Sequence, residues 1–318
     1  MHNILISNVG FGQAAPEFLA KLKNMAKVCL NEEGIKFSEA EFISKVSDTT
    51  ILIAGTEKIS RRVFEHAKNL KLIARVGSGV DNIDLDYAKE RKIKISYTPF
   101  APSEAVPEFT VSLILNLIKN ISLSDRKMHK AEWYRPMGRM LSSLSIGIVG
   151  VGKIGTRVIE LIKALSPNSN IYYYDPNVTV LKDAIKCDLD FLFQECDVIS
   201  LHLPLNEKTK GLINGDLLFS MKKNTFIVNT SRGGIMDEEA LYQLLKSKHL
   251  TGAALDVFEV EPYQGSLNQL DNCLLTSHMG SLTQEVRAIM EAEVVEDVIR
   301  FINNEPLLRT LEGFNFCE

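Results

Sequence analysis

The sequence predicts an α/β protein in which a doubly wound parallel sheet is inserted into a smaller α/β domain. Two observations carry this reading. Short apolar runs alternate with amphipathic stretches along almost the whole chain, the pattern of parallel strands joined by crossover helices. The last amphipathic helix is too short to form a domain, so it is expected to pack back onto the first series of strands. At 318 residues the chain is long enough for two domains, each with its own core.

In residues 1–98, "NILIS" (3–7), "KVCL" (27–30), "TILIAG" (50–55), "KLIARV" (71–76) and "KISYT" (94–98) are expected strands. Between them, "APEFLAKLKNMA", "SEAEFISKV", "SRRVFEHAKN" and "DLDYAKERK" are expected helices. A long helix is expected at about 103–122, with Pro107 in its first turn, where proline is tolerated. A second series follows: "SIGIVG", "NIYYYD", "DVISLHL", "TFIVNT", "GAALDV" and "CLLTSH". The amphipathic stretch "TQEVRAIMEAEVVEDVIRFINN" (283–304) closes the chain. The predicted division is therefore 1–98 plus 283–318 around 99–282, with hinges near Thr98–Pro99 and Gly280–Thr283.

Composition narrows the function classes. The apolar fraction is 45%, the charged fraction 24% and the net charge −4, ordinary for a soluble globular protein. No basic surface points to nucleic acid or an anionic membrane. The longest apolar segment, "VSLILNLI" (111–118), is well short of the roughly 20 residues of a membrane span. Cys29, Cys187, Cys196, Cys273 and Cys317 are scattered, odd in number and without metal spacing, as expected for reduced thiols. The N-terminus lacks the features of a signal peptide, so a cytoplasmic location is expected.

The turn "IVGVGKIGTRVIELI" contains Gly150-x-Gly152-x-x-Gly155 between a strand and a helix with one apolar face. Such a triplet alone is weak, but here Asp175 ends the next strand at the right distance. Gly150 permits the tight turn, Gly152 lets a pyrophosphate approach the backbone, and Gly155 lets helix and strand pack closely. The helix N-terminus then offers free N–H groups to phosphates. Asp175 would accept hydrogen bonds from the ribose hydroxyls and repel a 2′-phosphate, which favours NAD over NADP. The plain alternative is a tight turn with no ligand.

Three later strands end in residues with chemistry. Arg232 follows "FIVNTS", Glu261 follows "GAALDVFEV", and His278 follows "LLTS". In an open α/β sheet, the carboxyl ends of the strands are where ligands sit. Arginine there can hold a carboxylate through two parallel hydrogen bonds, and histidine is the side chain that most readily exchanges a proton near neutral pH. Singly, each has a bland reading, a surface salt bridge or a packed histidine.

Taken in order, "ARVGSGVDNIDL", "IGIVGVGKIG", "HLPL", "VNTSRGG", "GAALDVFEVEP" and "HMG" make the chain resemble the NAD-dependent D-2-hydroxyacid dehydrogenases, close to their phosphoglycerate dehydrogenase-like branch. The resemblance covers nearly the whole length. It implies a Rossmann-type NAD-binding domain inserted into a smaller flavodoxin-like substrate domain. It also implies hydride transfer between NAD(H) and a small 2-hydroxyacid or 2-oxoacid, and a homodimer formed through the NAD-binding domain.

The roles implied by the resemblance are these. Arg232 binds the substrate carboxylate and polarises the C2 carbonyl, His278 is the acid/base on the C2 oxygen, and Glu261 is its carboxylate partner. The loop Val76–Gly77–Ser78–Gly79, with Arg75 beside it, holds the carboxylate through backbone amides. Lys153 and Ile154 line the pyrophosphate turn, Leu203, Pro204 and Thr209 flank the adenosine, and Thr230, Ser231 and Asp256 approach the ribose and nicotinamide. His202 is expected near the cofactor in a structural role.

The chain also departs from the family pattern. Many relatives carry Asn where it has Pro102 and Ala where it has Pro107. Ala54-Gly55-Thr56 stands where some phosphoglycerate dehydrogenases have a phosphate-binding Arg. 3-Phosphoglycerate therefore stays open as a substrate, while Glu261 argues against formate. Two readings from other classes are a non-catalytic NAD(H)-sensing protein on the same fold and a methyltransferase with a similar glycine loop. The latter has no use for the Arg/Glu/His set.

Overall fold

In the computed structural model, residues 2–314 are described, and the chain divides into two units, Met1–Pro102 with Leu282–Glu318, and Ser103–Ser281. Cys317 lies outside the described residues, and Cys29, Cys187, Cys196 and Cys273 are free thiols.

The first unit runs β1 (Asn3–Ile6), α1 (Pro16–Met25), β2 (Lys27–Leu30), α2 (Glu39–Val46), β3 (Ile51–Ala54), α3 (Arg61–His66), β4 (Leu72–Arg75), α4 (Leu85–Glu90) and β5 (Lys94–Tyr97). Its strands pair in parallel in the order β2-β1-β3-β4-β5, so the winding reverses between β1 and β3. Every residue of β3 and β4 is buried, which explains why the two strands read as continuous apolar runs, up to Arg75 at the end of β4, rather than alternating ones. Helix starts are set by side chains that accept otherwise unpaired amides. Ser38 and Glu41 form a reciprocal capping box at α2, and Ser60 and Asp84 cap α3 and α4.

The second unit contains α5 (Pro102–Lys119, from Ser103 on), α6 (Ile121–Met128), β6 (Ser145–Val149), α7 (Lys153–Leu165), β7 (Asn170–Tyr174), β8 (Ile185–Lys186) and α8 (Leu189–Glu195). It continues with β9 (Val198–Leu201), α9 (Gly215–Phe219), β10 (Phe226–Asn229), α10 (Glu238–Lys246), β11 (Gly252–Leu255) and β12 (Cys273–Leu275). The parallel order β12-β11-β10-β9-β6-β7-β8 is that of a Rossmann sheet with one added strand, and it reverses between β6 and β9. Finally α11 (Gln284–Ile302), capped by Thr283, returns to the first unit and packs on α1, β4 and β5.

Three details differ from the sequence reading. The exposed two-residue β8 was not among the expected strands. The single helix expected at 103–122 is broken at Asn120, which adopts a left-handed φ of 57°, and α6 leaves α5 at 64°. Pro107 falls in the second turn of α5, not the first, because Pro102 already occupies the helix start. No single helix among the described residues is long and apolar enough to cross a membrane.

Candidate active site

The turn after β6 is shaped by what its glycines lack. Gly150 sits at φ +90°, and a Cβ there would lie 2.6 Å from the His202 carbonyl oxygen. A Cβ on Gly155 would meet the Gly150 carbonyl oxygen at 2.1 Å, so α7 can approach β6 only with glycine at this position. Gly152 is different: nothing lies within 4 Å of its Cβ position, and it caps α7 without any side-chain hydrogen bond. The result is a solvent-open turn facing the N-terminus of a 13-residue helix, with exposed Lys153 and part-buried Ile154 at its first positions. Such a helix end accommodates a phosphate.

Asp175, past the end of β7, accepts hydrogen bonds from the backbone amides of Val151 (3.0 Å), Asn177 (2.8 Å) and Val178 (3.2 Å). Burial works against its charge, but these amides outweigh it and hold the carboxyl below its ordinary range. The carboxylate therefore ties the glycine turn to the end of β7. These residues fit a dinucleotide: an open phosphate turn, the N-terminus of a helix, and an anionic acceptor one strand away.

After β9, the His202 ring is enclosed, with Nε2 at 2.9 Å from the Ser200 hydroxyl, and burial drives its pKa down to about 3. It is a neutral packing residue. Leu203 is buried and Pro204 exposed. The Thr209 hydroxyl closes their loop by donating to the Pro204 carbonyl (2.5 Å) and accepting from the Asn206 amide (2.9 Å).

The three strand ends β10, β11 and β12 lie side by side. At β10, Asn229 organises the turn. Its Oδ1 accepts from the Ser231 amide (3.0 Å) and hydroxyl (2.8 Å), and its Nδ2 donates to the Arg232 carbonyl (2.9 Å). The Thr230 hydroxyl is paired with that of Thr110 on α5 at 2.7 Å, and Arg232 Nη1 donates to the Ser231 carbonyl at 2.7 Å. A Cβ on Gly233 would fall 1.9 Å from the Phe258 carbonyl oxygen, so the Arg232 turn is pressed directly onto the loop after β11.

That loop carries Glu261. Glu238, the first residue of α10, fastens the loop by accepting from the Glu259 amide at 2.7 Å, and burial pushes its own carboxyl pKa up. Glu261 in turn reaches His278: Nδ1 lies 3.0 Å from both carboxylate oxygens. His278 has a left-handed φ of 55°, uncommon outside glycine, and the surroundings hold it there. Its amide donates to the Asp256 carbonyl at 2.8 Å. The Asp256 carboxylate, 1% exposed, accepts from the Thr276 hydroxyl (2.6 Å) and the Met279 and Gly280 amides (2.9 Å each). Three of its acceptor positions thus serve the turn bearing His278.

In the first unit, the loop after β4 leaves Ser78 exposed and Gly77 and Gly79 partly so, with Gly77 at φ +142°. Thr98 anchors it, accepting from the Gly77 amide at 2.7 Å. Arg75 is buried, with its guanidinium on the Val76 carbonyl. Asn229, Gly233, Glu238, Thr98 and Thr110 were not among the expected site residues. Only Asn229 carried a local signal, an Asn two residues ahead of a Ser at a strand end.

Residues 111–280 match the family model of the D-isomer specific 2-hydroxyacid dehydrogenase, NAD binding domain. The chain is 35% identical to a hydroxypyruvate reductase of Thermotoga maritima over 87% of its own length and 94% of the relative's. It is 36% identical to a D-3-phosphoglycerate dehydrogenase of Methanocaldococcus jannaschii over 89% of its length, spanning only 56% of that larger protein. Among solved structures, the TT0316 protein from Thermus thermophilus superposes with a TM-score of 0.86 at 30% identity, covering 97% of this chain and 99% of that one. The chain belongs to the D-isomer specific 2-hydroxyacid dehydrogenases, oxidoreductases that act on a CH–OH group with a nicotinamide dinucleotide.

Proposed function

We propose that the protein interconverts a small D-2-hydroxyacid and its 2-oxoacid, with His278 as the acid/base, Glu261 as its partner and Arg232 as the carboxylate ligand. The observation that carries this is the His278–Glu261 pair, 3.0 Å from Nδ1 to both oxygens, formed between the segments that follow β12 and β11, with β11 lying next to β10, the strand that leads to Arg232. With Glu261 accepting the Nδ1 proton, Nε2 is the atom left to exchange a proton with the C2 oxygen. Arg232 pairs with the substrate carboxylate and draws electron density from the carbonyl. Arg75, Gly77, Ser78 and Gly79 add a second hold on that carboxylate. The nicotinamide, when bound, supplies or accepts the hydride. Gly150, Gly152, Lys153, Ile154 and Gly155 hold its pyrophosphate, Asp175 the adenosine ribose, and Leu203, Pro204 and Thr209 the adenosine side. Thr230, Ser231 and Asp256 lie toward the nicotinamide end.

An NADH-oxidation screen over glyoxylate, pyruvate, hydroxypyruvate, 2-oxoglutarate, branched 2-oxoacids and phosphohydroxypyruvate, repeated with NADPH, tests the reaction and the cofactor together. His278→Ala is expected to lower kcat by about 10²–10⁴-fold while NADH still binds. Wild-type rates in that variant would remove His278 from its role. Asp175→Ala is expected to weaken NADH about tenfold and to narrow the preference over NADPH, measured by nucleotide fluorescence titration. A non-catalytic NAD(H) sensor would bind NADH and turn over none of these acids.

Two further proposals concern the assembly and its surroundings. The segment after α6 exposes Trp133 (80%), Met137 (94%) and Met140 (66%), and we read this apolar stretch of the nucleotide-binding unit as the contact with a second copy of the chain. Four free thiols suit a reducing compartment, consistent with the cytoplasm.

A further inference from the structure

The peptide unit between Phe258 and Glu259, in the loop after β11, is held at two points by the segment that follows Arg232. Gly233 presses on it: a Cβ there would lie 1.9 Å from the Phe258 carbonyl oxygen and 2.5 Å from the Glu259 nitrogen. Glu238 takes its N–H, accepting from the Glu259 amide at 2.7 Å. Glu238 can do so reproducibly because its own backbone is fixed. It opens α10 directly after Asp237, which caps the helix by accepting from the Glu239 and Ala240 amides.

The same loop then turns back on its own carboxylate. The Phe258 amide donates to Glu261 Oε1 at 3.3 Å, and both Glu261 oxygens lie 3.0 Å from His278 Nδ1. Phe258 and Glu259 share one peptide unit, so a displacement at the Glu259 N–H is passed to the residue that steadies Glu261. Beyond Glu261 the loop is stiff as well. The Tyr263 ring stacks on that of Phe258 with centroids 4.3 Å apart, and its hydroxyl accepts from the Leu267 amide at 3.1 Å. Burial pushes the Glu238 carboxyl pKa up, and the charges of Glu259 and Glu261 push the same way against the Glu259 amide. What the loop needs from Glu238 is an acceptor oxygen, which a neutral group also supplies.

We infer that Glu238 is a positioning residue for the reaction: by holding the Glu259 amide it keeps the Phe258 amide in place, and through it the Glu261 carboxylate aimed at His278 Nδ1. The inference rests on the reaction proposed above. Small misplacements of reacting groups are costly to rate, so a loosened Glu261 should show in turnover before it shows in cofactor binding.

The test reads kcat with the 2-oxoacid of the screen above that the wild type reduces fastest, and NADH affinity by fluorescence titration. Glu238→Ala removes the acceptor and is expected to lower kcat about tenfold while NADH affinity changes less than about twofold. Glu238→Gln keeps an oxygen for the Glu259 amide and should return kcat to within about threefold of wild type. In a Glu261→Ala background, Glu238→Ala should cost little more, because residues that act through one another are not additive. Wild-type kcat in Glu238→Ala, no recovery with Gln, or the same factor of loss repeated on Glu261→Ala overturns the inference. Should Glu238→Ala fail to fold, Glu238→Asp, charged but one methylene too short to reach the amide, gives the same comparison. The reaction is checked apart from the positioning. If Glu261→Ala lowers kcat and the two changes multiply, the positioning falls and the reaction stands. If Glu261→Ala alone keeps wild-type kcat, Glu261 is no partner of His278 and both fall.

Discussion

Gly233 and Asp256 show how single residues place the side chains of the proposed site. Gly233→Ala would drive a methyl into the Phe258 carbonyl, 1.9 Å from the Cβ position, in a contact between two backbones that cannot yield as a side-chain tip would. A loss of at least about 2 kcal/mol is expected, read as a lower denaturation midpoint together with lower kcat/KM, since Arg232 rides on the same turn. Asp256→Asn exchanges one acceptor oxygen for a donor facing an amide of Met279 or Gly280, at an expected cost of about 1–3 kcal/mol. Because His278 sits between Thr276 and Met279, kcat should fall more than NADH affinity. An unchanged kcat with weakened NADH would instead make Asp256 a cofactor ligand only. The placement of Arg232, Glu261 and His278 just past three strand ends was readable from the sequence. The residues that hold them, Gly233, Glu238 and the Thr276–Gly280 turn, were not, because each acts on a partner some 20 positions away or more and leaves no local pattern.

Strands and helices were legible where burial is two-sided or periodic. β3, β4, β9, β10 and β11 are buried at every position, and their apolar runs stood out in the sequence. β8 is two exposed residues at a sheet edge, too short for any period to register. The break at Asn120 was hidden for the opposite reason: apolar residues continue through it, and the turn depends on a left-handed residue whose identity alone is a weak signal. One polar residue binds the start of β6 to its surroundings. Asp197 accepts from the Ser145 amide (2.9 Å) and hydroxyl (3.0 Å) and pairs with Arg139 (3.1 Å) and Lys222 (3.2 Å). Burial opposes its charge, but these donors prevail and lower its pKa. Its stabilising contribution is therefore complete above the unfolded-state value of about 3.9 and fades as pH falls through the lower folded-state value. Asp197→Asn should cost about 1–3 kcal/mol at pH 7, and the gap to wild type in denaturant titrations should close below about pH 4.

For the whole molecule, the exposed apolar segment at 133–140 sets the expected assembly. Replacing Trp133 and Met137 together by Glu places two charges in the proposed contact and should convert a dimer to a monomer in sedimentation velocity at micromolar concentration. An unaltered dimer would move the contact elsewhere. The chain order of α11 has a separate consequence for biosynthesis. This helix covers β4 and β5 and supplies Arg287 and Glu291 to the loop after β1, yet it is encoded after the entire second unit. A ribosome adding about 5–20 residues per second needs roughly ten to forty seconds to cross that interval. During it, the earliest-made strands wait with an apolar face bare, while the later-made unit already has all of its own segments. The half of the protein synthesised first is thus the half completed last, and nascent-chain chaperones should engage it there.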